Sequence, residues 1–146
     1  MTRKLKVACY GTNGHQILGK LVDHPRARLV ATSEIPRPRI KKAFGDDGAE
    51  SVRAQPDLDA LLQDEAVEFI SLCSPRRDEQ CEDAMRCLEA GKHVLAEKPA
   101  AMSFEELQLL RNTARQCDAE FRQMGSCGQE DTLSAMRSMI DDGELG

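Results

Sequence analysis

Residues 97–99 read Glu-Lys-Pro and close a short apolar run, His93 to Ala96. A proline biases the residue before it away from helix, so Lys98 is expected to be presented at a fixed place on a strand tip. A lysine there can hydrogen-bond a substrate hydroxyl, steady a developing alkoxide, or move a proton if its pKa is lowered. Glu97 can pair with it or contact a cofactor; a loop salt bridge is the plain alternative. A second group stands early in the chain, in "CYGTNGHQILGKL". Gly11 follows an apolar run and allows a tight turn, and Gly14 lets the backbone come close to a phosphate. A helix starting there would aim its free N–H groups and positive dipole end at an anion. Gly11, Thr12, Asn13, Gly14, His15 and Gln16 therefore form a candidate phosphate-binding turn. Its spacing is G-x-x-G, with Asn13 and Gln16 where G-x-G-x-x-G has its other glycines. Asn tolerates left-handed backbone angles better than most residues, so the turn can survive; a simple strand–helix turn is the alternative.

Glu34 lies 20 residues beyond Gly14, the spacing at which a carboxylate accepts hydrogen bonds from the adenosine ribose hydroxyls. A carboxylate there repels a 2′-phosphate, so NAD is the expected cofactor. Arg37 or Arg39 of the following "PRPRIKK" could accommodate that phosphate, which keeps NADP open, although a solvated basic face is the simpler reading. Ser74 and Pro75 end another apolar run, and their stiff turn would pass beneath the nicotinamide side of a bound dinucleotide.

These residues need a scaffold that brings strand ends together. Apolar runs at 5–10, 27–33, 67–74 and 93–96 alternate with helical patterns, and weaker strands are expected at 50–54 and 120–125. The expected helices follow Gly11, with Ile17, Leu18, Leu21 and Val22 on one face, then span 57–66 behind an Asp57 cap, the run ending at Gly91, Ser103 to about Cys117, and a last helix stopped near Gly143. "IPRPRIKKAFGDDG" is expected to be a loop leading into a short helix. This β-α-β-α rhythm implies an α/β fold, a doubly wound parallel sheet. Runs 5–10, 67–74 and 93–96 are apolar on both faces, as in strands covered by helices on both sides.

Composition narrows the function classes. The chain has 146 residues, a net charge of −5 and five aromatics. An acidic chain is a poor partner for a phosphate backbone, and so few aromatics offer no stacking platform for single strands; no nucleic-acid partner is expected. No run approaches a membrane span or a signal peptide, so no membrane partner and a cytoplasmic location are expected. Of the six cysteines, Cys9, Cys73, Cys81, Cys87, Cys117 and Cys127, none forms a C-x-x-C pair. Buried free thiols are expected, and no metal site.

The run "LEAGKHVLAEKPAAMSFEEL" resembles the signature of the glucose–fructose oxidoreductase and myo-inositol dehydrogenase family (Gfo/Idh/MocA). The order of features agrees: a Gly-rich turn, an acidic residue after the second strand, a Ser-Pro turn after the fourth, then E-K-P. The likeness covers about Lys4 to Gly146. It implies a nicotinamide-dependent oxidoreductase acting on sugars, inositols or related polyols. Lys98 then corresponds to the lysine beside substrate and nicotinamide, Glu97 to the glutamate at the nicotinamide end, and the Lys98–Pro99 bond to one that is often cis. The family often has an Asn and a His after the Ser/Thr-Pro turn; here Arg76 takes the Asn place and Gln80 falls nearest the His. The family's Arg-rich stretch after the sixth strand reads "GSCGQED". Residues 1–146 are expected to be the dinucleotide-binding domain alone. The family's second domain, which supplies most of the substrate pocket, a catalytic Asp and His and usually the oligomer interface, is expected to be absent. Apolar surface left uncovered would then favour self-association. A non-catalytic dinucleotide-binding or sensing module is the alternative reading, and a domain that has lost its cofactor a third.

Overall fold

The computed structural model describes residues 3–125 and 131–144. The strands are β1 (Leu5–Tyr10), β2 (Ala27–Ser33), β3 (Arg53–Ala54), β4 (Phe69–Leu72), β5 (His93–Ala96) and β6 (Phe121–Gln123). They form one parallel sheet in the order β3-β2-β1-β4-β5-β6. The α-helices are α1 (Arg37–Glu50), α2 (Leu58–Gln63), α3 (Gln80–Glu89), α4 (Phe104–Gln116) and α5 (Asp131–Asp141). This is the doubly wound α/β fold expected from the β-α-β-α rhythm. Strand order reverses between β1 and β4, and ligands of such sheets bind in the crevice beyond that point.

Register aligns the strand tips. Tyr10 pairs with Ser33 on one side and Leu72 on the other, and Ala96 pairs with Leu72 and Gln123. Gly11, Glu34, Cys73 and Glu97 follow these tips directly, so residues far apart in sequence share one edge.

Two apolar clusters cover the sheet. One joins Ala8, Ile70, Leu72, Val94 and Ala96 to Leu58 and Leu61 of α2, Ala84, Cys87 and Leu88 of α3, and Leu110 of α4. The other joins Val7, Cys9 and Leu29 to Leu18, Leu21 and Ile40. Alternation along β1 explains the split: Val7 and Cys9 face one cluster, Ala8 the other. The second cluster takes helical residues only from around Ile17–Leu21 and from α1. That corrects the expectation of two-sided cover over 93–96. Val94 and Ala96 are buried, whereas His93 and Leu95 are half-buried, because α2, α3 and α4 all contribute to the first cluster.

Other elements depart from expectation in extent. After Gly11 there is no α-helix but a five-residue 3-10 helix, Ile17–Leu21. The proline-bearing run 36–50 is helical from Arg37, since Pro38 sits in the first turn where no N–H is needed, and Gly45 (φ 73°) kinks it. β3 keeps two residues and β4 four, shorter than the runs 50–54 and 67–74. The caps hold: Asp57 Oδ1 accepts from Ala60 N–H at 2.8 Å, and Ser103 Oγ from Glu106 N–H at 3.1 Å. Such caps stabilise a helix by about 1 kcal/mol. Residues 134–144 of α5 and beyond are exposed, including Met136, Met139 and Ile140. Among the described residues no helix is long and apolar enough to cross a membrane, and no cluster of His, Cys, Asp and Glu could hold a metal ion.

Candidate active site at the carboxyl edge of the sheet

Glu97 is the hub of this edge. Its residue is 1% exposed, yet it keeps a carboxylate among donors. Oε2 accepts from the His15 backbone N–H and lies 2.9 Å from His15 Nδ1, and Oε1 accepts from Lys98 N–H at 2.8 Å. Burial alone would raise its pKa; the hydrogen bonds from the His15 and Lys98 backbones and the His15 ring outweigh burial and hold it below the ordinary glutamate value. Lys98 Nζ stands 4.0 Å from Oε1, with its side chain 59% exposed. The expected Glu97–Lys98 pairing is therefore loose, and His15 is the closer partner. The Lys98–Pro99 bond is cis, as the resemblance implied. His15, Glu97, Lys98, Met124 and Gly125 line a cavity of about 250 Å³.

The sign of the Glu97 effect yields an expectation. Its folded pKa lies below the unfolded value of about 4.3, so its stabilisation is full above that pH and is lost as pH falls through the folded value. Glu97→Gln would set an amide among N–H donors and is expected to cost about 1–3 kcal/mol at pH 7. Urea unfolding from pH 7 to pH 3 should show wild type approaching the variant as the acid limb is crossed. A constant gap between them would mean that the carboxylate charge is not what stabilises the turn.

The first turn is tied to this hub. Gly14 has φ 133°, and a Cβ there would fall on the Glu97 carboxylate. Its missing side chain therefore makes room for Glu97, and not for a phosphate alone. Gly11 has φ 70°, and a Cβ there would strike the Cys73 carbonyl oxygen. Gln16 spends its amide on the scaffold: Nε2 donates to the carbonyls of Tyr10, Gly11 and Ser71 at 3.1, 3.2 and 3.1 Å, and Oε1 accepts from Ile17 N–H and Ser71 Oγ. It fastens β1 to β4 at the switch point. Asn13 donates from Nδ2 to Pro75 O at 3.3 Å. Thr12 lies between Gly11 and Asn13 in the turn and makes no side-chain hydrogen bond among the described residues.

Beyond β4, Ser74 Oγ donates to Asp83 Oδ2 at 2.7 Å, so the hydroxyl points into α3. Burial pushes the Asp83 carboxyl up, against the Ser74 hydrogen bond and Arg86. Pro75 packs against Gly11. Gln80, fully buried, donates from Nε2 to the carbonyl oxygens of Glu97 and Pro99, the latter at 3.0 Å. It clamps the backbone on both sides of Lys98, a positioning role. Glu34 is exposed on a left-handed residue (φ 56°) at the tip of β2. Beside it, Ser33 Oγ is buried without a hydrogen-bond partner among the described residues. Arg37 Nη1 donates to Val52 O at 3.0 Å, which leaves the other N–H groups of its guanidinium, and Arg39 makes no side-chain hydrogen bond among the described residues.

Sequence reasoning missed three members of this edge: Arg77, which bonds Asn13 O and Gln80; the Asp83 partner of Ser74; and the orphaned Ser33. The second arginine of "SPRRDEQ" was the available signal for the first; Asp83 and Ser33 carry none, because their environments exist only after packing. The stretch "GSCGQED" falls largely on 126–130, outside the described residues. Four of the six thiols are buried as expected, and Cys127 lies outside the described residues. Cys9, Cys73, Cys81 and Cys87 are buried and free and Cys117 half-buried, and burial, then Glu97, pushes the Cys73 thiol up to about 11. That shift disfavours the thiolate, the reactive form, at neutral pH. A cavity of about 610 Å³ between Arg3, Leu5, His24, Arg26 and Glu68 opens at the amino edge of the sheet, away from these residues.

Comparison with known proteins bears on the family and the fold. A model for the Gfo/Idh/MocA oxidoreductase family, NAD-binding Rossmann fold, matches residues 5–122. The chain belongs to that family. A relative, the scyllo-inositol 2-dehydrogenase (NADP(+)) IolW of Bacillus subtilis, is 31% identical over 116 residues, 77% of this chain and 30% of its own. A D-glucoside 3-dehydrogenase of Escherichia coli is 41% identical over 59 residues, 40% of this chain and 16% of its own. Among solved structures, a scyllo-inositol dehydrogenase from Lactobacillus casei with bound NAD(H) and scyllo-inositol superposes with a TM-score of 0.80 at 20% identity. A 3-ketoreductase from Actinomadura kijaniata with NADP and TDP-benzene gives 0.78 at 23%. These two cover 99% of this chain but only 43% and 44% of theirs, and at such identity they show the fold alone. The family member described here thus spans under half the length of these relatives.

Proposed function

We propose that this chain is the nucleotide-binding half of an NAD(P)-dependent oxidoreductase acting on a sugar, inositol or related polyol. One observation carries the reading: Glu97 joins the Gly11–Gly14 turn to Lys98 at the switch point, beside an open cavity. The residues present fit a dinucleotide. Glu34 and the orphaned Ser33 hydroxyl stand at the adenosine end, the turn lies between, and Lys98 stands at the other end. When bound, the nicotinamide would supply the hydride acceptor or donor. Lys98 Nζ, extended into solvent from a clamped backbone, would hydrogen-bond the reacting hydroxyl and take up or return its proton. Glu97 would keep the turn and Lys98 in register by holding both backbone N–H groups. Gln80 would fix the peptide planes on either side. The relatives named above as inositol and glucoside dehydrogenases support the substrate class. Residues 1–146 serve in this reading as the cofactor domain, with substrate contacts and oligomer interface supplied by a second half.

Cofactor choice follows from Glu34. Its carboxylate disfavours a 2′-phosphate, for which Arg39 and the unused donors of Arg37 are the nearby cations. NAD is expected to bind about tenfold more tightly than NADP, and Glu34→Ala to remove most of that preference. Calorimetric titration with each cofactor checks this. Absence of binding to either would sink the cofactor reading altogether, and tighter binding of NADP would overturn the role given to Glu34.

A further inference from the structure

The five-residue 3-10 helix after Gly14 leaves the first turn without the full helix dipole that its sequence suggests. The turn must still receive an anionic pyrophosphate if the cofactor reading holds, and the carboxylates of Glu34 and Glu97 already place negative charge along this edge. Arg77 stands against the turn. Its Nη2 donates to Asn13 O at 2.5 Å and its Nη1 to Gln80 Oε1 at 2.9 Å. A guanidinium has five N–H donors, so three remain. Neighbouring Arg76 is neutralised by Asp78 at 2.6 Å and Glu79 at 3.2 Å; Arg77 has no carboxylate partner among the described residues. Asn13 lies between Gly11 and Gly14, both of positive φ, so a cation fastened to this turn carries a charge uncompensated among the described residues and unused planar donors. Arginine in that state suits bidentate recognition of phosphate oxygens.

We infer that Arg77 is a cofactor-binding residue whose guanidinium meets the pyrophosphate of a dinucleotide at the Gly11–Gly14 turn, in place of part of a helix N-terminus. The inference rests on the cofactor reading above. Its test titrates ADP-ribose, which carries the pyrophosphate, and adenosine, which does not, into wild type, Arg77→Gln and Arg77→Lys, at low and high salt. Arg77→Gln is expected to weaken ADP-ribose about tenfold or more, to leave adenosine within about twofold, and to flatten the salt dependence of ADP-ribose binding. Arg77→Lys, which keeps the charge, is expected to recover part of the affinity at low salt. Unchanged ADP-ribose binding in Arg77→Gln would overturn the role and leave the cofactor reading intact. Equal loss of both ligands would also overturn it, since the damage would then be to the turn. Should Arg77→Gln fail to fold, Arg77→Lys decides: a salt slope matching wild type supports the role, and complete loss at low salt overturns it. A wild type that binds neither ligand removes both this inference and the cofactor reading.

Discussion

Lys98→Ala, in a chain carrying this domain together with a substrate-binding half, is expected to lower kcat for hydride transfer by about 10²–10⁴-fold, the range for removing a positioned general acid–base group. Cofactor affinity is expected to change little. Among the described residues Lys98 Nζ holds no ion pair closer than the 4.0 Å to Glu97 Oε1, and its side chain is 59% exposed, so little of the fold rests on it. The backbone at Lys98 is held independently by Glu97 and Gln80, and truncation leaves that clamp in place. Nicotinamide absorbance in steady-state and single-turnover assays separates the two effects. Turnover within a few-fold of wild type would remove Lys98 from the chemistry. A loss confined to KM would make it a substrate-binding residue only.

Gly11→Ala is expected to be the most damaging single methyl on this edge. Left-handed geometry costs an L-residue roughly 1–2 kcal/mol, and Gly11 has φ 70°. The added Cβ would also strike the Cys73 carbonyl oxygen and stand 2.9 Å from its carbon and 3.3 Å from Pro75 Cδ. These are backbone and ring atoms at the end of β4, which cannot swing aside as a side-chain tip would. A loss of about 3 kcal/mol or more in urea unfolding is expected, along with weakened dinucleotide binding. Gly19→Ala is the control, because a Cβ there meets nothing within 4 Å and its φ is not left-handed; it should stay within about 0.5 kcal/mol of wild type. A Gly11→Ala variant as stable as that control would show that the strand tips pack less tightly than described.

Much of this edge is legible in sequence because local chemistry announces it. Glycine after an apolar run marks a turn, proline after Lys98 marks a stop, and Ser103 with Glu106 marks a helix start. Each signal acts through backbone preferences within a few residues, so it survives whatever packs around it. Helix and strand extents were less legible. The run 36–50 carries two prolines and reads as loop, yet Pro38 falls in a first turn, where its missing N–H costs nothing. The pattern of Ile17, Leu18, Leu21 and Val22 suits an α-helix. The tie of Gln16 across β1 and β4 coincides with a shorter 3-10 helix there, buried through Leu18 and Leu21.

The sequence by itself determined the alternation of elements, the shared placement of candidate residues at strand ends, and the chemical types available there. Parallel pairing requires crossovers, and crossovers put each strand's carboxyl end on the same edge. Tertiary structure alone decided which residues face one another across that edge. Gly14 gives way to Glu97, Glu97 holds His15 more closely than Lys98, Ser74 turns into α3, and Gln80 grips the carbonyls beside Lys98. Apart from the neighbours Glu97 and Lys98, these pairs are separated by nine to 83 positions in the chain. Their contacts come from strand register and helix packing, which no local spacing encodes.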